Sequence, residues 1–317
     1  MLLNILYIII GVAVVLWGAD RLTDGAVGLA TKMNIPQIVI GLTVVAMGTS
    51  MPEFFVSLVS AINGTPDLAV GNVVGSNVFN TLLIVGTAAV VAPMVISKST
   101  VKKDIPFAVL ASVLLFAFGF DNYISRIDAA VLAAVFIVFM VYTVRIGIKG
   151  AHEQKSNEPA SDSETKPMPV WKAILFVILG LACLVFGSNL FVNAATEVAT
   201  ELGVSQAIIG LTIVAGGTSL PELATSVVAA RKGQSAIAMG NVIGSNVMNI
   251  LMIIGITGVI CPMKVEGITI IDLSVLLVSI VLLWLFSFTK YKVERWEGAL
   301  LLAIFAGYMS WLISCAI

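Results

Sequence analysis

Two glutamates end segments that are otherwise apolar or small, and their neighbours are oxygen donors. Glu53 ends the stretch 41–53, GLTVVAMGTSMPE, and Glu222 ends the similar stretch 210–222, GLTIVAGGTSLPE. Each glutamate follows a proline and comes three and four residues after a serine and a threonine. Carboxylates and hydroxyls are hard oxygen ligands, which hard cations such as Ca²⁺ and Na⁺ prefer. The predicted chemistry is therefore the binding of a hard cation, and its residues occur twice.

The proline in each segment predicts a break in the helix that carries the hydroxyls. Pro52 has no N–H, and its ring clashes with the carbonyl four residues earlier, at Gly48. We expect the break to free the backbone carbonyls of residues 46–48. In lipid, such carbonyls are tolerated only where they line a protein or water cavity. They would add further oxygen ligands beside Glu53.

A second polar stripe lies on the apolar helix that follows. Asn72, Ser76 and Asn80 are spaced by four residues and so share one face, while Gly71 and Gly75 permit close backbone approach. The second copy of the stripe consists of Asn241, Ser245 and Asn249. The two stripes and the two glutamate segments are expected to converge, so that two carboxylates would neutralise a divalent cation and monovalent cations would use the same oxygens.

Each of these groups also has a structural interpretation. The glutamates could form a protonated pair that only joins helices, although an ionisable residue inside a membrane is usually functional. Serine and threonine in membrane helices often bond only their own backbone. Asn80 and Asn249 could merely clamp helices together. Hydrogen bonding between helices is the interpretation we favour for four other asparagines, Asn72, Asn77, Asn241 and Asn246.

The composition places these segments in a bilayer. The chain has 317 residues, of which 59% are hydrophobic and 11% charged, whereas soluble domains carry roughly 25% charged residues. A membrane-spanning helix needs about 20 apolar residues. We place spans at 3–29, 37–62, 68–91, 104–120, 126–147, 171–199, 205–230, 236–260, 267–288 and 296–316. The expected fold is an all-α integral membrane protein with ten transmembrane helices, some of them broken at the midplane.

An internal repeat relates the two halves of the chain. The offset in residue number that carries Glu53 onto Glu222 also carries Gly11 onto Gly180 and Arg126 onto Arg295. This single shift, called the repeat offset below, needs no gaps and superposes the asparagine stripes as well. We therefore divide the chain into a first five-helix repeat (1–147), a polar linker (148–169) and a second five-helix repeat (170–317).

The distribution of lysine and arginine predicts how the repeats are oriented. These residues concentrate in the turns after spans 1, 3, 5, 7 and 9, whereas the other turns hold only Arg126 and Lys264. The positive-inside rule makes the odd-numbered turns and the linker cytoplasmic, and both termini extracellular. Because five spans per half is an odd number, the second repeat is inverted. Inverted repeats around a midplane site are a common plan of secondary transporters.

Several other classes of protein are disfavoured. The formal net charge of −1 comes with no basic arm and no glycine-rich phosphate loop, so we expect no nucleic-acid partner. The three cysteines and the single His152 fit neither a zinc site nor a disulfide framework. The chain also lacks a zinc-protease motif, an Asp-rich diphosphate motif and a nucleophile elbow. We predict that it is not an enzyme and uses no cofactor. The lipid bilayer is an expected partner, and no obligate protein partner is evident.

The motifs resemble those of a known family. The stretches 48–53 (GTSMPE) and 71–80 (GNVVGSNVFN), with their copies at 217–222 and 240–249, are similar to the paired α-repeats of the sodium/calcium exchanger family. The whole chain resembles the compact prokaryotic members of that family. The resemblance implies an antiporter that exports Ca²⁺ at the expense of inward Na⁺. It also implies that the first and sixth spans slide together as a gate across the other eight.

The resemblance further implies which groups bind ions. The glutamates would bind the central cation, hydroxyls would complete neighbouring sodium sites, and amides and backbone carbonyls would join them. The implied ligand residues are Glu53, Glu222, Thr49, Thr218, Ser50, Ser219, Ser76, Ser245, Asn80 and Asn249, with the carbonyls of Ala46 and Ala215.

Three alternative functions stay open. Protons could replace Na⁺ on the glutamates, which would give an H⁺/Ca²⁺ or another cation antiporter. A cation channel would use the same oxygen ligands, although inverted repeats around a closed midplane site argue against it. A membrane-embedded enzyme would require a hydrolytic activity that depends on Glu53.

Overall fold

Helices form nearly all of the regular structure. The computed structural model describes residues 1–157, 168–203, 215–265 and 267–316. The helices of the first half are α1 (Leu2–Met33), α2 (Gln37–Thr49), α3 (Met51–Ile62), α4 (Pro66–Val91), α5 (Ile105–Phe118) and α6 (Arg126–Asn157). Those of the second half are α7 (Val170–Glu201), α8 (Ala215–Thr218), α9 (Leu220–Arg231), α10 (Ser235–Ile260), α11 (Ile270–Ser287) and α12 (Arg295–Ala316).

Most of these helices are long and apolar enough to cross a membrane. Among the described residues seven helices qualify, and the bent pair of α2 and α3 adds an eighth. Of the other two spans expected from the sequence, 104–120 corresponds to α5, whose α-helical part has 14 residues, and 205–230 extends outside the described residues. The total of ten transmembrane helices stays a prediction.

The helices that carry the polar stripes lie at the centre of the bundle. Of the most apolar 18-residue stretch of each helix, the buried share is 72% in α4 and 83% in α10. In α1 and in α7 the buried share is only 28%. Large apolar side chains such as Leu2 on α1 and Trp171 on α7 are exposed, as expected of surfaces that face lipid rather than water. The centre therefore holds the polar residues and the periphery contacts the bilayer.

The helix breaks where the prolines predict. Ser50 separates α2 from α3 with φ −84° and ψ 3°, and the two helices are bent by 46°. Ser219 separates α8 from α9 with nearly the same angles, φ −87° and ψ 4°. Pro52 falls in the first turn of α3, where a missing N–H costs no helical hydrogen bond.

One detail of the predicted break is wrong. The carbonyl of Ala46 was expected to be freed, but it accepts a hydrogen bond from the backbone N–H of Ser50 at 3.0 Å. The reason is local. Pro52 lacks only the N–H that would have bonded the Gly48 carbonyl, whereas Ser50 keeps its N–H and can still bond the carbonyl of Ala46. A second lone pair of the Ala46 carbonyl remains for another contact.

Among the described residues, wide π-helical turns interrupt three of the helices near the centre. They cover Gly41–Val45 in α2, Phe79–Ile84 in α4 and Met248–Ile254 in α10, and a fourth, Thr100–Asp104, precedes α5. π-helical turns are rare and frequently occur at functional sites. Asn80 and Asn249 each stand at the second position of such a turn. No local pattern predicted these turns.

The all-α expectation also needs a small correction, because four two-residue strands pair at the ends of the helices. β1 (Met94–Val95) pairs with β4 (Lys292–Val293), and β2 (Tyr123–Ile124) pairs with β3 (Met263–Lys264). The repeat offset converts the first pairing into the second, including its register. Each pairing joins one half of the chain to the other, so it depends on tertiary packing rather than on local propensity.

Two long peripheral helices, α1 and α7, cross in close contact. A Cβ placed on Gly11 would lie 2.9 Å from the carbonyl oxygen of Gly187, and one placed on Gly18 would lie 2.9 Å from that of Gly180. The order of these contacts shows that the two helices run antiparallel. The repeat offset exchanges the two contacts, so α1 and α7 use the same surface to meet each other.

Helix α6 extends into the segment that we assigned to the linker. It ends at Asn157, beyond the predicted boundary at 147. The added stretch is polar but contains no proline before Pro159, and its glutamate, glutamine and lysine residues are good helix formers. Residues 158–167 of the linker lie outside the described residues.

Candidate cation-binding site

The two helix breaks bring the glutamates into the interior. Glu53 lies in the first turn of α3 and Glu222 in the first turn of α9, and their exposed fractions are 0% and 1%. A helix N-terminus favours a negative charge because its free N–H groups carry a partial positive charge. The breaks therefore supply a position where a buried carboxylate is tolerated, one in each half of the chain.

The two breaks face each other across the halves. The hydroxyl of Ser50 donates a hydrogen bond to Oε1 of Glu222 at 3.2 Å, and the hydroxyl of Ser219 donates to Oε1 of Glu53 at 3.4 Å. The repeat offset exchanges these two bonds. Each carboxylate is thus held by the half of the chain that does not contain it, and both belong to one site.

The polar stripe of α4 joins the same site. The hydroxyls of Ser76 and Ser219 lie 3.2 Å apart, and Ser76 is buried. Asn80 follows one turn further along α4 and is also buried. On α10 the corresponding residues, Ser245 and Asn249, are both 0% exposed. The expected convergence of serines and glutamates is thus observed directly at Ser50, Ser76 and Ser219.

Several buried polar atoms of the two glutamates and the two polar stripes have no hydrogen-bond partner within the described ranges. They are Oε2 of Glu53, Oε2 of Glu222, Oγ of Ser245 and both amide atoms of Asn80 and of Asn249. Buried polar groups in proteins are nearly always hydrogen-bonded, so such a group of unsatisfied oxygens calls for a ligand. Two carboxylates and neutral oxygens fit a hard cation. Within the described part of the chain, no three histidine, cysteine or acidic side chains cluster as a metal site.

The remaining predicted ligand residues lie next to this group. Thr49 ends α2 and is buried, and its hydroxyl donates to Oδ1 of Asn241 at 3.1 Å and lies 3.4 Å from the carbonyl oxygen of Ala46. Thr218 ends α8 in the corresponding position and is half-buried. Ala215 begins α8. The threonines therefore occupy equivalent positions on the two sides of the site.

The asparagines that we assigned to contacts between helices mostly make them. The side-chain amide of Asn72 donates to Ser57 Oγ at 3.0 Å and to the Glu53 carbonyl at 3.2 Å. Asn246 donates to the hydroxyl of Thr81 at 2.8 Å. Asn77 is an exception, because it donates to the carbonyl of Val73 in its own helix.

A charged cluster lies outside the buried site, where α1 meets the end of α9. Lys232 Nζ is 2.6 Å from Asp20 Oδ1 and 2.7 Å from Asp24 Oδ1, and Arg21 is 2.6 Å from Asp20 Oδ2. About a third of each of these side chains is exposed. No sequence pattern pairs Lys232 with these two aspartates, because the lysine belongs to the other half of the chain.

The fold and the site define a multi-pass helical membrane protein with one buried, oxygen-rich site built from two similar segments. The family model described as "Sodium/calcium exchanger protein" matches residues 3–145 and again residues 172–314. The chain therefore belongs to the sodium/calcium exchanger family. The two matches are themselves related by the repeat offset.

Two prokaryotic relatives have a similar length. The chain is 37% identical to the putative antiporter CaxA of Alkalimonas amylolytica, over 99% of this chain and 100% of that protein. It is 31% identical to the sodium/calcium exchanger MaX1 of Methanosarcina acetivorans, over 96% and 97% of the two chains. A solved structure of the sodium-calcium exchanger NCX_Mj, soaked with Na⁺ and Ca²⁺, superposes with a TM-score of 0.84 at 31% identity and covers 98% of both chains.

Proposed function

We propose that this protein is a secondary active antiporter that exchanges Na⁺ for Ca²⁺ across the cell membrane. The observation that carries the proposal is the exchanged pair of hydrogen bonds, Ser50 to Glu222 and Ser219 to Glu53. These bonds support a single site in which two carboxylates can neutralise one Ca²⁺. The unsatisfied oxygens around them would also serve Na⁺, which has the same preference for hard ligands.

The proposed ligands come equally from the two halves. Carboxylates, hydroxyls, amide oxygens and two backbone carbonyls contribute, at Glu53, Glu222, Thr49, Thr218, Ser50, Ser219, Ser76, Ser245, Asn80, Asn249, Ala46 and Ala215. Ca²⁺ takes six to eight oxygen ligands, so this set exceeds what one divalent ion requires. The excess leaves room for Na⁺ to compete at overlapping positions, which is the requirement for exchange.

Alternating access is the proposed mechanism, with residues 1–147 and 170–317 as inverted repeats. Three features support this: the antiparallel crossing of α1 and α7, the exchanged strand pairings and the double match to the family. Two halves that use the same surfaces can adopt each other's conformations, which would open the site first to one side and then to the other. The linker 148–169 would be cytoplasmic and both termini extracellular.

Uptake of ⁴⁵Ca²⁺ into proteoliposomes loaded with Na⁺, with Na⁺-free buffer outside, tests the function. We expect uptake that collapses when choline replaces the internal Na⁺. Uptake that ignores Na⁺ but follows a pH gradient would contradict sodium coupling and favour the H⁺/Ca²⁺ alternative. Single-channel currents far above carrier rates would contradict antiport altogether.

The charged cluster on α1 predicts a bias between the two access states. Lys232 bonds Asp20 and Asp24, whereas the repeat offset places asparagine at all three equivalent positions, Asn63, Asn189 and Asn193. The three equivalent positions, which lie on the opposite side of the membrane in the proposed topology, therefore carry no ion pair. They should stabilise the state in which α1 contacts the end of α9, on the cytoplasmic side in the proposed topology.

Lys232→Gln is accordingly expected to shift the populations of the two states roughly twofold to fivefold, the range for partly exposed ion pairs. Electron–electron distances between spin labels at positions 32 and 231, in a variant without the native cysteines, measure this shift. With Lys232→Gln, a larger fraction of the molecules should show the longer distance between the two labels. Lys290→Gln is the control, since Lys290 pairs with Glu294 inside one loop. Identical distance distributions for Lys232→Gln and the unmutated protein would contradict the prediction.

A further inference from the structure

Asn241 stands outside the proposed ligand set but contacts two of its members. It is 0% exposed, and its amide Nδ2 donates to Ser226 Oγ at 3.0 Å and to the backbone carbonyl of Glu222 at 3.4 Å. Its Oδ1 accepts a hydrogen bond from the Thr49 hydroxyl, with 3.1 Å between the two oxygens. One buried side chain on α10 therefore connects the helix that carries Glu222 with the helix that carries Thr49, in the other half of the chain.

The direction of the Thr49 hydroxyl decides whether this residue can bind an ion. A hydroxyl oxygen has two lone pairs and one proton, so it ligates a cation only when the proton points elsewhere. Oδ1 of Asn241 accepts this proton at 3.1 Å, closer than the Ala46 carbonyl at 3.4 Å. The Ala46 carbonyl is itself a proposed ligand, so a hydroxyl proton directed at it would face the same ion.

We propose that Asn241 is a positioning residue that accepts the hydrogen bond of the Thr49 hydroxyl and so turns the Thr49 lone pairs towards Na⁺. The inference rests on the proposed function, because it assigns Thr49 to a sodium position. The donor bonds of Asn241 hold the amide in the required orientation, since Nδ2 is fixed by Ser226 and Glu222 and Oδ1 must then face Thr49. The amide of Asn72 makes the corresponding donor bonds in the first half, to Ser57 and Glu53.

Na⁺ competition against ⁴⁵Ca²⁺ binding to the purified protein in detergent provides the test, because it requires no transport. Asn241→Leu removes the acceptor at similar volume, and the Na⁺ concentration for half-competition is expected to rise about tenfold, as for the loss of one buried hydrogen bond. Asn241→Asp lacks the amide donor, but its two carboxylate oxygens are equivalent, so either orientation presents an acceptor to Thr49 and its half-competition concentration should not rise. A similar rise in both variants would show that only the amide donor matters and would overturn the proposal.

A double-mutant cycle separates positioning from helix packing. In a Thr49→Val background the hydroxyl is absent, so Asn241→Leu should add less than a twofold effect. A further tenfold loss in that background would overturn the proposal. Ser226→Ala is the matched control, since it removes another partner of Asn241 without touching Thr49. The bond from Nδ2 to the Glu222 carbonyl remains to orient the amide, so the half-competition concentration should change by less than about twofold.

Two measurements distinguish failure of the inference from failure of the proposed function. An unmutated protein that binds Na⁺ and Ca²⁺ competitively but does not exchange them would refute the antiport, while the Asn241 variants would still decide the inference. Exchange by the unmutated protein together with an unchanged half-competition concentration in a monodisperse Asn241→Leu sample would refute the inference alone. If Asn241→Leu does not fold, an increase in Asn241→Asp still overturns the proposal.

Discussion

Glu53→Gln or Glu222→Gln is expected to reduce Na⁺-dependent ⁴⁵Ca²⁺ uptake by more than about a hundredfold, the scale of losing one charge from a buried charged group. Both side chains are essentially unexposed, so solvent cannot replace the lost negative charge opposite Ca²⁺. Glutamine keeps the shape and one acceptor oxygen, which preserves the hydrogen bonds from Ser219 and Ser50. The fold should therefore survive, and uptake by equal amounts of protein in proteoliposomes is the measurement.

Glu297→Gln is the matched control for this experiment. Glu297 is also 0% exposed, but it lies at the start of α12, where its Oε2 accepts the backbone N–H of Glu294 at 2.7 Å. Its neutral analogue can accept the same bond, so uptake should stay close to that of the unmutated protein. Normal uptake by either Glu53→Gln or Glu222→Gln would remove the central assignment of the site.

The second large effect is expected at the crossing of α1 and α7. A Cβ on Gly180 would lie 2.7 Å from the backbone nitrogen of Leu22 and 2.8 Å from the carbonyl oxygen of Gly18. Neither backbone atom can rotate away as a flexible side chain would, so Gly180→Ala must push the helices apart. Overpacking of this kind costs about 1–3 kcal/mol, and the melting temperature in detergent should fall by several degrees.

Gly307→Ala is the control, for which no fall in melting temperature is expected. A Cβ at Gly307, on α12, would meet no atom within 4 Å in the described structure, and alanine is a better helix former than glycine. Its melting temperature should therefore be unchanged or slightly higher. Because α1 and α7 are proposed to move together, Gly180→Ala should also slow exchange. Equal melting temperatures for the two variants would contradict the close crossing.

The sequence by itself determined the class of protein and predicted most of the polar residues of the candidate site. Hydropathy, a proline, the spacing of asparagines along a helix and an internal offset are properties that can be read without knowing any contact. They were sufficient to predict a helical membrane protein built from two repeats, whereas the family came from the resemblance of the motifs and is confirmed by the family model. The break at Ser50 also followed from sequence, because Pro52 acts on its own helix whatever surrounds it.

Only the tertiary structure decided which groups meet. The bonds from Ser50 to Glu222 and from Thr49 to Asn241 join residues separated by 172 and 192 positions, and no local pattern records such a contact. The π-helical turns at Asn80 and Asn249 and the pairing of Lys232 with α1 belong to the same group of features. All of them arise from the packing of one half against the other. That packing decides which of several possible local conformations a segment adopts.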